Sequence, residues 1–107
     1  MKFRIVVIAA AKSDLREIFN YVEQNDSLES ADKLVEGVEQ AIVALTEKPQ
    51  RGHFPPELDR IGNRDFREVH FKPYRIIYSV RENEVIVHCV LDGRRDMQTL
   101  LQQRLLR

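Results

Sequence analysis

Cysteine is almost absent: Cys89 is the only one among 107 residues, so no internal disulfide can form and a reducing compartment, the cytoplasm, is expected. Long apolar runs are missing as well. The stretch Phe3 to Ile8 is far short of the ~20 residues a membrane helix needs, and Lys12 and Asp14 follow too soon for a signal-peptide core. No membrane partner is therefore expected. There is no internal repeat, low-complexity tract or linker, which leaves one domain over residues 1–107. No G-x-S-x-G elbow occurs, and Ser13, Ser27, Ser30 and Ser79 fit caps or surface positions, so nothing supports a serine hydrolase. His53, His70, His88 and Cys89 lack compact ligand spacing, so neither a metal nor any other cofactor is expected. Cys89 itself lies in a Val/Ile-rich stretch and reads as core.

An excess of charge of either sign is also lacking, since 17 Lys/Arg balance 17 Asp/Glu. The balance is not local. Residues 1–59 carry 7 basic against 11 acidic side chains, and residues 60–107 carry 10 against 6. An acidic face and a basic face follow, each suited to a charged partner. With 43% hydrophobic and 32% charged residues, the composition is that of an ordinary folded domain.

Phe3 to Ile8 is a β-branched run that suits a buried strand. The period then changes. Leu15, Ile18, Phe19 and Val22 fall on one helical stripe, with Ser13 as the expected cap and Asp14 and Glu17 in the first turn. Asn25-Asp26 breaks this helix. Asp26 with Glu29 has capping-box spacing for a second one, whose stripe is Ala31, Leu34, Val35, Val38, Ile42 and Leu45, stopped by Pro49 and Gly52. Glu47 to Asp65 reads as a long loop. From Phe66 the period becomes two. Residues 66–72, 74–81 and 84–91 are predicted strands, joined tightly enough to demand an antiparallel meander. Met97, Leu100, Leu101 and Leu105 suggest a closing helix. The order β-α-α-β-β-β-α gives a two-layer α+β domain, a helical hairpin packed on a small antiparallel sheet.

Particular residues sharpen this. Ala10-Ala11-Lys12-Ser13-Asp14-Leu15-Arg16-Glu17-Ile18 is similar to an A-x-x-D-L-x-E-I helix start, and Leu45 to Gly52 to an L-x-x-x-P-x-x-G turn. With Phe66-Arg67-Glu68-Val69, Tyr74-Arg75-Ile76-Ile77-Tyr78 and Val90 to Asp96, these five pieces resemble, in order and spacing, the RelE/ParE toxin superfamily. The resemblance implies a growth-inhibiting toxin neutralised by a cognate antitoxin, in a toxin–antitoxin hetero-oligomer. Its ParE-like branch poisons DNA gyrase and does no chemistry. Its RelE-like branch cuts messenger RNA on the ribosome.

The ParE-like reading is the first expectation, because no tyrosine or histidine follows the last strand and the overall charge is neutral. Catalytic residues are then absent, and Arg67, Lys72, Arg75, Arg94 and Arg95 are the expected target-binding cations. Under the ribonuclease alternative, Arg67 and Arg94 would hold the phosphate while His70 or His88 moved the proton. In that alternative the partners become ribosome and messenger RNA. His70 is placed on an exposed strand face with Phe66 and Glu68, His88 opposite to Cys89, and His53 in solvent. Met97, Leu100, Leu101 and Leu105 are expected to bind antitoxin, since so apolar a helix wants a cover.

Overall fold

A computed structural model describes residues 2–106. Strand β1 (Arg4–Val7) leads straight into helix α1 (Ala9–Asn25), followed by α2 (Leu28–Val43), which runs on into one 3-10 turn, Ala44–Thr46. Helix α1 begins a full turn before Ser13 and has no side-chain cap; extended Ile8 precedes it, its N–H bonded to the Val87 carbonyl on the sheet. Strand pairing therefore sets this helix start, and Ser13 and Asp14 lie inside the helix. Ser27, not Asp26, caps α2: its hydroxyl accepts from the Ser30 N–H at 3.0 Å, while Asp26 closes α1.

The expected loop over 47–65 contains a short helix, α3 (Pro56–Asp59), which buries Leu58. Strands β2 (Arg67–Phe71), β3 (Tyr74–Arg81) and β4 (Glu84–Asp92) form the expected meander, and α4 (Met97–Leu105) closes the chain. The sheet order is β1-β4-β3-β2, with β1 parallel to β4 through Val7↔Val87. The long α1–α2 crossover makes that parallel pairing possible, so β1 sits at an edge and is only half-buried.

The hairpin covers one sheet face. Val38 and Ile42 meet Ile76, Tyr78, Val85, Val87 and Val90 there, with Leu15 and Leu34 partly buried against them. Phe19, expected in this core, is half-buried outside it. On the opposite face α3 and α4 shelter part of the sheet, where Leu58, Met97 and Leu101 pack on Ile77, Cys89 and Leu91. Each fully buried aliphatic side chain contributes about 1.5–3 kcal/mol. The face that α3 and α4 cover only in part carries the charged residues of interest.

Candidate functional site

Glu68 is the centre of this face. It lies in β2, and its side chain is 1% exposed, so a carboxylate sits where the alternation pattern put a solvated residue. Burying it is costly without partners. Arg75, its near neighbour on β3, donates Nε–H to Glu68 Oε1 at 2.5 Å, and the rest of its fork pairs bidentately with Glu57 of α3 at 2.6 and 2.9 Å. The Arg75 hydrogen bonds hold the Glu57 carboxyl below its usual pKa, and Glu57 and Glu68 hold the Arg75 guanidinium above its own. His53 reaches the other oxygen, Oε2, at 2.7 Å through Nε2, and His70 Nε2 stands 3.5 Å from Oε1. The His53 and His70 rings meet edge to face at 5.2 Å. Sequence spacing missed this cluster because His53 arrives from the loop, where a bridge to Glu68 pins it to β2.

The expected cations separate into two groups. Arg75 is taken up by Glu57 and Glu68, and Arg67 donates to the Gly52 carbonyl at 2.9 Å while lying over the Phe54 ring at 4.4 Å. Those two arginines hold the 50–57 segment to the sheet. Lys72, Arg94 and Arg95 are exposed. Arg94 folds back onto Asp92, donating Nε–H at 3.0 Å and an Nη–H at 2.7 Å, and Asp92 is thereby held below the usual carboxylate pKa. Arg95 makes no side-chain ion pair among the described residues. Gly93 before them presses on the Arg75 stem, where a Cβ would stand 2.8 Å from Cδ. Arg94 and Arg95 border a shallow groove with Tyr21, Tyr74 and Glu17.

His88 departs from its expected orientation. The β3–β4 register shifts between Ile77↔Cys89 and Tyr78↔Val87, leaving His88 as an extra residue in a bulge. It shares the Ile77 and Cys89 face, accepting or donating at Ser79 Oγ over 2.8 Å and meeting Phe66 edge to face. Burial lowers its pKa and nearby Arg81 acts in the same sense, which keeps the ring neutral near pH 7. Cys89 is wholly buried and its thiol is pushed up to about 12, as its core assignment requires.

Helix α4, which carries the expected antitoxin-binding residues, is tied to the rest of the domain by packing and by an ion pair. Met97 and Leu101 belong to the core, and Leu100 and Leu105 pack partly against it. Arg104 pairs with both oxygens of Asp14 at 2.8 and 3.0 Å, and Asp14 also accepts the Val90 N–H at 2.9 Å. Nothing in the local pattern distinguished Asp14 from a helix-start acid; its partners lie 76 and 90 residues away.

The profile of a family described as ParE toxin of type II toxin–antitoxin system, parDE, matches residues 5–97. No curated protein sequence matches the chain significantly. Among solved structures, a chain of the chromosomal ParDE system from P. aeruginosa superposes with a TM-score of 0.70 at 16% identity, over 83% of this chain and 94% of that one. A mutant of E. coli toxin RelE in the free state gives 0.66 at 15%, over 99% and 100%. The RelBE2 toxin–antitoxin complex from Mycobacterium tuberculosis gives 0.56 at 17%, over 86% and 92%. At such identities the shared property is the fold.

Proposed function

Because the chain belongs to the ParE toxin family of type II toxin–antitoxin systems, we propose that it inhibits DNA gyrase by binding, without chemistry of its own, and that a cognate antitoxin holds it inactive. One observation carries the choice over messenger RNA cleavage. In the middle of the partly covered face, Arg75 stands between two carboxylates, Glu57 and Glu68, so this trio bears one net negative charge. A phosphate backbone gains nothing from such a bed, and stabilising its transition state needs unpaired cations there. The histidines named for proton transfer are also engaged, His70 beside Glu68 and His88 on Ser79.

On this reading the contact with gyrase falls to Lys72, Arg94 and Arg95, whose side chains reach solvent. Guanidinium forks suit carboxylates on a protein surface. The antitoxin segment folds onto the toxin and covers exposed apolar groups, for which the hairpin offers Tyr21, Leu28 and Val43. Purified toxin should block supercoiling by gyrase and leave cell-free translation intact. Arrested translation with cut messenger RNA and unimpaired supercoiling would overturn the proposal in favour of the ribonuclease.

A further inference from the structure

We propose that His53, Glu68 and His70 form a binding site for a divalent transition ion, with Zn2+ as its fitting occupant. Their candidate ligand atoms all lie within 4.8 Å of one another. Around one tetrahedral ion with bonds of about 2.0–2.1 Å, neighbouring ligand atoms stand roughly 3.3 Å apart. His70 Nε2 and Glu68 Oε1 already have nearly that spacing, at 3.5 Å, and the 2.7 Å hydrogen bond between His53 Nε2 and Oε2 opens slightly when an ion replaces its proton.

The surroundings fit the same conclusion. Glu68 is buried and fixed in orientation by Arg75, as a hydrogen-bond partner fixes a ligating carboxylate. Glu57 answers the charge of Arg75, so the trio keeps one negative charge to set against a cation. Both imidazoles are exposed, His53 by 58% and His70 by 39%, which gives an ion a route in and leaves a coordination position to water. Two nitrogens and one oxygen suit Zn2+ and its first-row neighbours, whereas Ca2+ and Mg2+ ask for all-oxygen shells. Arg51 also lines the depression and is exposed, so its side chain can withdraw from an arriving ion. Loading would fasten the His53 loop to β2 by two imidazoles on one ion.

The test is Zn2+ titration of the untagged full chain against a chromophoric indicator, followed by the visible spectrum with Co2+. One ion per chain is expected, with a four- or five-coordinate Co2+ spectrum. His53→Gln and His70→Gln should each lose at least tenfold in affinity while keeping the far-ultraviolet circular dichroism of the native chain. His88→Ala, a histidine outside the cluster, should bind as the native protein does. Absence of saturable binding, equal loss in His88→Ala, or full affinity in both glutamine variants would overturn the site. None of these outcomes depends on which cellular target the toxin has.

Discussion

Asp14 links three elements, reaching from α1 to the Val90 amide of β4 and to Arg104 of α4, and replacing it tests how α4 is held. In Asp14→Ala the buried Val90 N–H loses its acceptor, which costs about 1–3 kcal/mol. Arg104 loses both its hydrogen bonds as well. Breaking a fully buried pair costs about 3–5 kcal/mol, but the Arg104 side chain is 25% exposed and turns outward to water, so its share is about 1. The sum is about 2–4 kcal/mol, or a drop in Tm on the order of 10–20 °C for a domain of this size. Arg104→Ala leaves the Val90 bond in place and should cost only about 1 kcal/mol. Urea unfolding of the native chain, both single variants and the double variant would give the coupling directly. Equal losses from Asp14→Ala and Arg104→Ala, or a loss below about 1 kcal/mol for Asp14→Ala, would refute the view that Asp14 primarily serves the Val90 amide.

Replacing Arg94 and Arg95 together by Ala should abolish growth inhibition with Tm unchanged, since both are exposed; lost toxicity that tracks a falling Tm would instead make them structural. Tyr78→Phe should cost about 1–3 kcal/mol in urea unfolding, because its hydroxyl donates to the Pro49 carbonyl at 2.7 Å and accepts the Gly52 N–H at 3.0 Å. Glu57 is held below its ordinary carboxylate pKa, so its contribution to stability is full above the unfolded value and is lost as pH falls through the folded one. The urea midpoint of Glu57→Gln should therefore change less between pH 6 and pH 3, on the order-of-magnitude scale of carboxylate titration, than that of the native chain. Cys89, buried with its thiol pushed up to about 12, should resist alkylation in the native protein and react on unfolding.

Periodicity carried the fold a long way. The alternation of Tyr74, Ile76 and Tyr78 with Arg75 and Ile77 assigns both faces of β3 correctly, and the α2 stripe Ala31, Val38, Ile42 is buried as its spacing demands. What stayed illegible depends on distant partners. Ser13 looked like a cap because nothing local shows Ile8 bonding to Val87. Glu68 looked solvated because Arg75 and His53, whose hydrogen bonds offset its burial, come from another strand and from an irregular segment. The site histidines were visible as residues but not as a group, since 15 positions separate His53 from Glu68. The α4 leucines invited a partner because the opposite face of the sheet was not yet furnished with Leu58, Ile77 and Cys89 to receive them.

The bulge at His88 also bears on which length changes the gene can tolerate. Val85 and Val87 face the hairpin, and so does Val90, three positions on, while Cys89 and Leu91 face α4. Counting by twos fails across His88 and succeeds if that residue is skipped. A one-residue deletion in a regular strand turns every later side chain to the wrong side. Deleting His88 does the opposite: it restores plain alternation, keeps Cys89, Val90 and Leu91 on their present sides, and removes only the Ser79 and Phe66 contacts. Deleting Val87 instead would also shorten the strand by one but bring His88 into the fully buried apolar position that Val87 holds, where an imidazole is costly to desolvate. The chain is thus able to lose a residue from the middle of its most buried strand and still fold, provided it is this one, and the expression of soluble, cooperatively melting protein from the two deletions would show the difference.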